Sequence, residues 1–127
     1  MNRLVSSVLI TTAIVALAAC SSGSSGRGVE PSIDPDALTI AAKDLEFSTS
    51  TLSAPADEPF KIAFDNQEGA PHNVAIYRDA SVTESVFGSD PFSGPAVVTY
   101  DVPGLPAGTY FFRCDLHPDM SGELTVG

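Results

Sequence analysis

Hydrophobic and polar positions alternate in short runs along most of the chain. In FKIAFDN, residues 60–66, Phe60, Ile62 and Phe64 are separated by Lys61, Ala63 and Asp65, the period of a strand with one buried face. HNVAIYR, residues 72–78, repeats the pattern with Val74 and Ile76 on one side. AVVTYDV, TYFFRCD and GELTVG predict three further strands, with PGLPAG as a turn between the first two. Upstream, LTIAAKDLEF predicts a first strand interrupted near Lys43 and Asp44, and STLSAPADEP a short strand and a turn. Residues 79–95 are the least regular, because Ser, Gly, Asp and Pro interrupt Val82, Val86 and Phe87; they predict a long connection with weak strand or helix. About seven or eight short strands separated by turn residues make an all-β sandwich or barrel.

The first residues follow a different pattern. After Arg3 comes an uncharged, largely apolar stretch of 16 residues, 4–19, short of the roughly 20 that cross a bilayer and suited to an export signal. It ends in LAAC, residues 17–20, which resembles a bacterial lipoprotein signal box. The resemblance implies a signal peptide over residues 1–19, removal of that segment, and lipid on the sulfur of Cys20. Several acyl chains anchor stably where one binds only marginally, so the mature protein is expected outside the cytoplasm, tethered to a membrane and facing the periplasm or the cell exterior.

Residues 20–36, CSSGSSGRGVEPSIDPD, are rich in Ser, Gly and Pro and have little to bury; they read as a flexible tether. A tether of this length averages roughly 23 Å end to end and extends to roughly 56 Å. One folded domain, residues 37–127, follows.

Charge narrows the range of partners. Asp and Glu number 16 against 6 Lys and Arg, a formal net charge of −10. Nucleic acid is disfavoured, since its binding is driven by cations that displace counterions from phosphates. Such acidity serves solubility, and a monomer is expected.

The densest chemistry lies in CDLHPDM, residues 114–120, where Cys114, His117 and Met120 are spaced three apart. Strand alternation places Tyr110, Phe112 and Cys114 on one face and Phe111 and Arg113 on the other. Cys114 therefore ends an inward-facing row, and the residues after it turn over it as a loop. His72 begins a strand 42 residues earlier, so the fold has to bring it in. A thiolate, two imidazoles and a thioether form a soft donor set. Two histidines and a cysteine with a weak axial methionine make a blue copper electron-transfer site.

With PHNV upstream, this loop resembles the cupredoxins, the small blue copper proteins of plastocyanin- and amicyanin-like type. Its CxxHxxM spacing is that of amicyanin-like members, whereas plastocyanin-like members have a longer stretch between the second histidine and the methionine. The resemblance spans about residues 38–126. It implies an eight-stranded Greek-key β-sandwich with one type 1 copper at one end. His72, Cys114 and His117 would be equatorial ligands and Met120 the axial one. Asn73 would give its amide to the cysteine sulfur and tie the ligand loops together through its side chain, with Asp115 as its partner. Leu116 stands where those relatives carry proline, which leaves room for a second amide donor to the sulfur. Arg113 stands where plastocyanin-like members have an aromatic residue, so an electron route through that position is not carried over.

The implied function is transfer of single electrons between redox partners, a donor and an acceptor that dock transiently near the exposed edge of His117. Gly69, Ala70, Pro71, Leu116 and Pro118 surround that port, and Asp115 and Asp119 lie beside it, which favours a basic or neutral rim on the partner. Extracytoplasmic copper binding, storage or delivery is the alternative, but those roles favour open, methionine-rich sites. An enzyme is not expected. A multicopper oxidase needs further histidines and the chain has two, while a cysteine nucleophile needs an open, basic site.

Overall fold

The computed structural model describes residues 33–127. The proposed signal peptide, residues 1–19, and Cys20 lie outside the described residues, as does the tether up to residue 32. No helix among the described residues is long and apolar enough to cross a membrane.

Among the described residues eleven strands follow one another: β1 (Leu38–Lys43), β2 (Glu46–Phe47), β3 (Thr51–Ala54), β4 (Phe60–Asn66), β5 (Pro71–His72), β6 (Ala75–Tyr77), β7 (Ser85–Gly88), β8 (Phe92–Ser93), β9 (Ala96–Val102), β10 (Gly108–Arg113) and β11 (Ser121–Val126). One sheet has the order β2-β1-β4-β9 and the other β3-β11-β10-β6-β7, while β5 and β8 form a small ladder of their own. The pairs β1/β4 and β3/β11 are parallel, and parallel neighbours need a crossover, so the chain passes repeatedly between the sheets. The result is the expected β-sandwich. It exceeds eight strands because β2, β5 and β8 are two-residue pieces.

The alternation seen in the sequence sets what faces the core. Phe60, Ile62 and Phe64 of β4 are buried, as are Tyr110 and Phe112 on β10 and Cys114 just beyond its end, whereas Phe111 and Arg113 are half-buried. Ala63 is also fully buried although it points the other way; it is a small side chain flanked by Thr39 and Thr99 on the neighbouring strands. Phe47 joins the sheets, its ring 6.1 Å from Phe64 and 5.8 Å from Phe112. Each such aromatic side chain removes a large apolar area from water, and offset or edge contacts add to that stabilisation.

Two departures from the expected elements have local causes. The interruption near Lys43 and Asp44 is a reversal: Asp44 and Leu45 both have positive φ, 55° and 61°, and join β1 to β2. Two successive left-handed residues define the hairpin turn that suits strand twist, though Asn-Gly is the usual pair. Residues 79–95 contain the strands β7 and β8 and no helix, since β7 finds a partner in β6.

Strand directions define two poles. β4 and β10 run toward Asn66 and Arg113 at one end, where β11 starts; Phe60, Val102, Gly108 and Val126 lie at the other. The first pole carries the site.

Candidate metal centre

Three strand ends converge on one small volume. β10 delivers Cys114 immediately after Arg113, and the loop to β11 is closed by two backbone bonds, Cys114 N–H to the Met120 carbonyl and Met120 N–H to the His117 carbonyl, each 2.9 Å. This compact reversal sets His117 beside the thiol and buries Met120. His72 arrives on β5, held by its ladder with β8 in which His72 faces Phe92.

The donor atoms form a compact triangle. Cys114 Sγ lies 3.7 Å from His72 Nδ1 and 3.7 Å from His117 Nδ1, and the two Nδ1 atoms are 3.1 Å apart. A point equidistant from all three lies about 2.0 Å from each, close to a metal–nitrogen bond of ~2.0–2.1 Å and a little short of a metal–sulfur bond of ~2.3 Å, as both are known for zinc. His72 and Cys114 are fully buried and His117 is partly exposed. Cys114 is a free thiol. The donors are two imidazole nitrogens and a sulfur, with a buried methionine at the end of the same loop, and this soft set fits copper.

Asn73 ties the two ligand-bearing segments together through its side chain. Its Oδ1 accepts from the Asp115 amide at 2.8 Å, and its Nδ2 donates to Asp115 Oδ2 at 3.2 Å and to the Ser89 carbonyl at 3.1 Å. The Cys114 sulfur faces the two imidazole nitrogens. Asp115 also accepts from Tyr77 Oη at 2.7 Å and Arg113 Nε at 3.0 Å. Burial pushes the Asp115 carboxyl up, but the hydrogen bonds from Tyr77, Asn73 and Arg113 outweigh it and hold it below the usual carboxylate range. The same bond to Asp115 raises the Tyr77 phenol. Arg113, on the outward face of β10, stacks its guanidinium over the Tyr77 ring at 5.3 Å.

Two polar anchors of the His72 segment were not read from the sequence. Asn66 is fully buried; its Nδ2 donates to the carbonyls of Ala70 and Phe92 at 2.9 and 2.8 Å, and its Oδ1 accepts from the Glu68 amide at 3.1 Å. It continues the inward phase of Phe60, Ile62 and Phe64, so the alternation itself could have found it. Glu68 lies with Oε1 2.6 Å from His72 Nε2. The bond to His72, followed by the amide of Leu45, holds its carboxyl below the ordinary range. Nothing in EGAPH marks that glutamate, because a four-residue spacing has no meaning outside a helix. Gly94 packs on this segment, donating to the Glu68 carbonyl at 2.9 Å. A Cβ there would collide with the Asn66 carbonyl, so only glycine fits.

A small β-sandwich is also what the comparisons with known proteins point to. The family model described as "Cupredoxin-like domain" matches residues 9–126, and the chain belongs to this family. Plastocyanin A/B of Petroselinum crispum is 37% identical over 87 residues, covering 65% of this chain and 88% of that protein. Amicyanin of Paracoccus versutus is 27% identical over 97 residues, covering 74% of this chain and 67% of the relative. Among solved structures, auracyanin A, a "blue" copper protein of Chloroflexus aurantiacus, superposes with a TM-score of 0.64 at 19% identity, covering 72% of this chain and 98% of that one.

Proposed function

We propose that the protein is a mononuclear blue copper protein that carries single electrons between redox partners. The observation behind this reading is the triangle of Cys114 Sγ and the two Nδ1 atoms, with sides of 3.7, 3.7 and 3.1 Å, in a pocket buried on the His72 side and open on the His117 side. His72, Cys114, His117 and Met120 would hold copper, the thioether as the weakest donor. When bound there, copper supplies a one-electron couple, Cu(I)/Cu(II), in a donor set intermediate between the preferences of the two states.

The chain's own residues fit this role. Asn73 and Asp115 lock the two ligand segments together, which limits rearrangement when the charge of the site changes. His117 brings one ligand to the surface, and Leu116 beside it is 42% exposed, so a partner docking there meets an apolar rim and an imidazole edge. Docking of this kind buries a small area and is transient. Arg113 pairs with Asp115 and offsets its charge, so the port is less acidic than the sequence alone suggests. Export, lipid on Cys20 and work at the outer face of a membrane complete the reading and rest on the sequence signals of residues 1–20, while the net charge of −10 suits a monomer.

The test is an optical spectrum and redox titration of the copper-loaded protein. An intense thiolate-to-copper band with reversible one-electron chemistry is expected. A colourless protein that binds Cu(I) and readily gives it up would overturn the carrier reading in favour of copper delivery, and failure to bind copper at all would sink the copper site.

A further inference from the structure

The Glu68 carboxylate reaches two places at once. Oε1 meets His72 Nε2 at 2.6 Å and the Leu45 amide at 3.1 Å, while Oε2 accepts from the Asp44 amide at 3.1 Å. Those two amides belong to the only reversal between β1 and β2, where neither left-handed residue is glycine. Left-handed backbone is unfavourable for residues with a Cβ, and a bulky Leu at φ 61° needs something to hold it. Glu68 is itself fixed, its amide on Asn66 Oδ1 and its carbonyl on the Gly94 amide.

An ionised carboxylate only accepts hydrogen bonds. The proton between Glu68 and His72 therefore sits on Nε2, which leaves the Nδ1 lone pair directed toward Cys114. Ring tautomer and orientation are set by the partner of the second nitrogen, and a carboxylate partner also raises the basicity of the ligating one.

We propose that Glu68 is a positioning residue for the metal centre: its carboxylate holds the His72 ring in the Nε2–H form and couples that ring to the strained β1–β2 turn. The proposal deepens the copper reading above and rests on it. The negative charge behind His72 favours the more highly charged metal state, so the carboxylate lowers the potential. The turn residues Asp44 and Leu45 thereby act on the site although neither is a ligand.

A purely structural role, capping the turn, is separated by a second variant. Asp44→Asn with Leu45→Gly supplies the pair that forms this turn unaided, so Glu68→Leu in that background removes the bond to His72 without stranding the turn. Two measurements follow. Nitrogen-15 NMR of the copper-free full chain is expected to show His72 protonated on Nε2 in the parent and a mixture of tautomers in the triple variant. With copper bound, Cu(II) affinity is expected to fall about tenfold or more and Cu(I) affinity less. A tenfold difference between the two losses corresponds to a potential raised by about 59 mV. Glu68→Gln in the same background keeps an acceptor and loses the charge, so it is expected to retain the tautomer and still raise the potential. A parent ring protonated on Nδ1, or a triple variant with unchanged tautomer and potential, would overturn the proposal. The NMR measurement needs no copper: a tautomer change without any thiolate-to-copper band would support the ring-holding role and defeat the copper reading alone.

Discussion

At the pole where β4 ends, Asn66, His72 and Asn73 are all buried, and they are the only buried polar or charged side chains among the described residues. At the pole where β4 begins, Phe60, Val102, Leu105 and Val126 close the core; the aromatic ring of Tyr110 is buried with them and its Oη donates to the Pro106 carbonyl at 2.8 Å, while Lys61 meets Asp34 on the surface at 2.9 Å. An apolar cap is sufficient to stabilise such a fold, because burying a polar group costs free energy unless every bond is made. The site pole meets that condition, for no buried side-chain polar atom among the described residues lacks a partner. Polar burial concentrated at one end marks where the sequence is shaped by chemistry as well as by folding.

The sharpest break in that contrast comes from Cys114→Ser. The thiolate-to-copper band should vanish completely, as read by visible absorption, while circular dichroism still reports the sandwich. Leu105→Ala should do the reverse. Truncating this buried leucine at the apolar pole is expected to cost about 2–5 kcal/mol in denaturant unfolding and to leave the band where it was.

Asn73→Ala should fall between them. It strips a partner from the Asp115 amide and carboxylate, which is expected to cost about 1–3 kcal/mol. Unlike Leu105→Ala, it should also shift both the band and the potential, since the two ligand segments lose their tie; a potential identical to the parent's would mean that the tie is only structural.

The smallest effect belongs to the surface pair. Asp34 is held below the usual carboxylate value, chiefly by the hydrogen bond from Lys61. A depressed folded-state pKa contributes stability that is present above the unfolded value of about 3.8 and lost as pH falls through the folded one. Lys61→Ala should therefore flatten the dependence of the unfolding midpoint on pH slightly below about pH 4, with no change at the metal pole. Exposed pairs contribute little, so a large change would contradict the division between the poles.

Much of this was legible because strands repeat every two residues. The row Phe60, Ile62, Phe64 and the row Tyr110, Phe112, Cys114 each place their side chains by counting, and the second leads directly to the site. The pairing of His72 with the loop of Cys114 came from donor chemistry and a family resemblance, as no local pattern spans 42 residues. Short pieces such as β5 and β8 were lost because two residues carry no period. Glu68 was lost for another reason: its role depends on two backbone amides of a turn that exists only once β1 and β2 have paired. Arg113, conspicuous beside the cysteine, acquires its meaning from Tyr77 and Asp115, which lie on a neighbouring strand and in the following loop.

The Lys61–Asp34 contact also marks where the chain enters the sandwich. Asp34 is held beside β4's first residues, and Leu38 pairs with Ile62 before β1 runs toward the site. If Cys20 carries the proposed lipid, the domain is hung by the end remote from His117. Hung that way, it would present the redox pole outward and keep its suspension point clear of any docking partner.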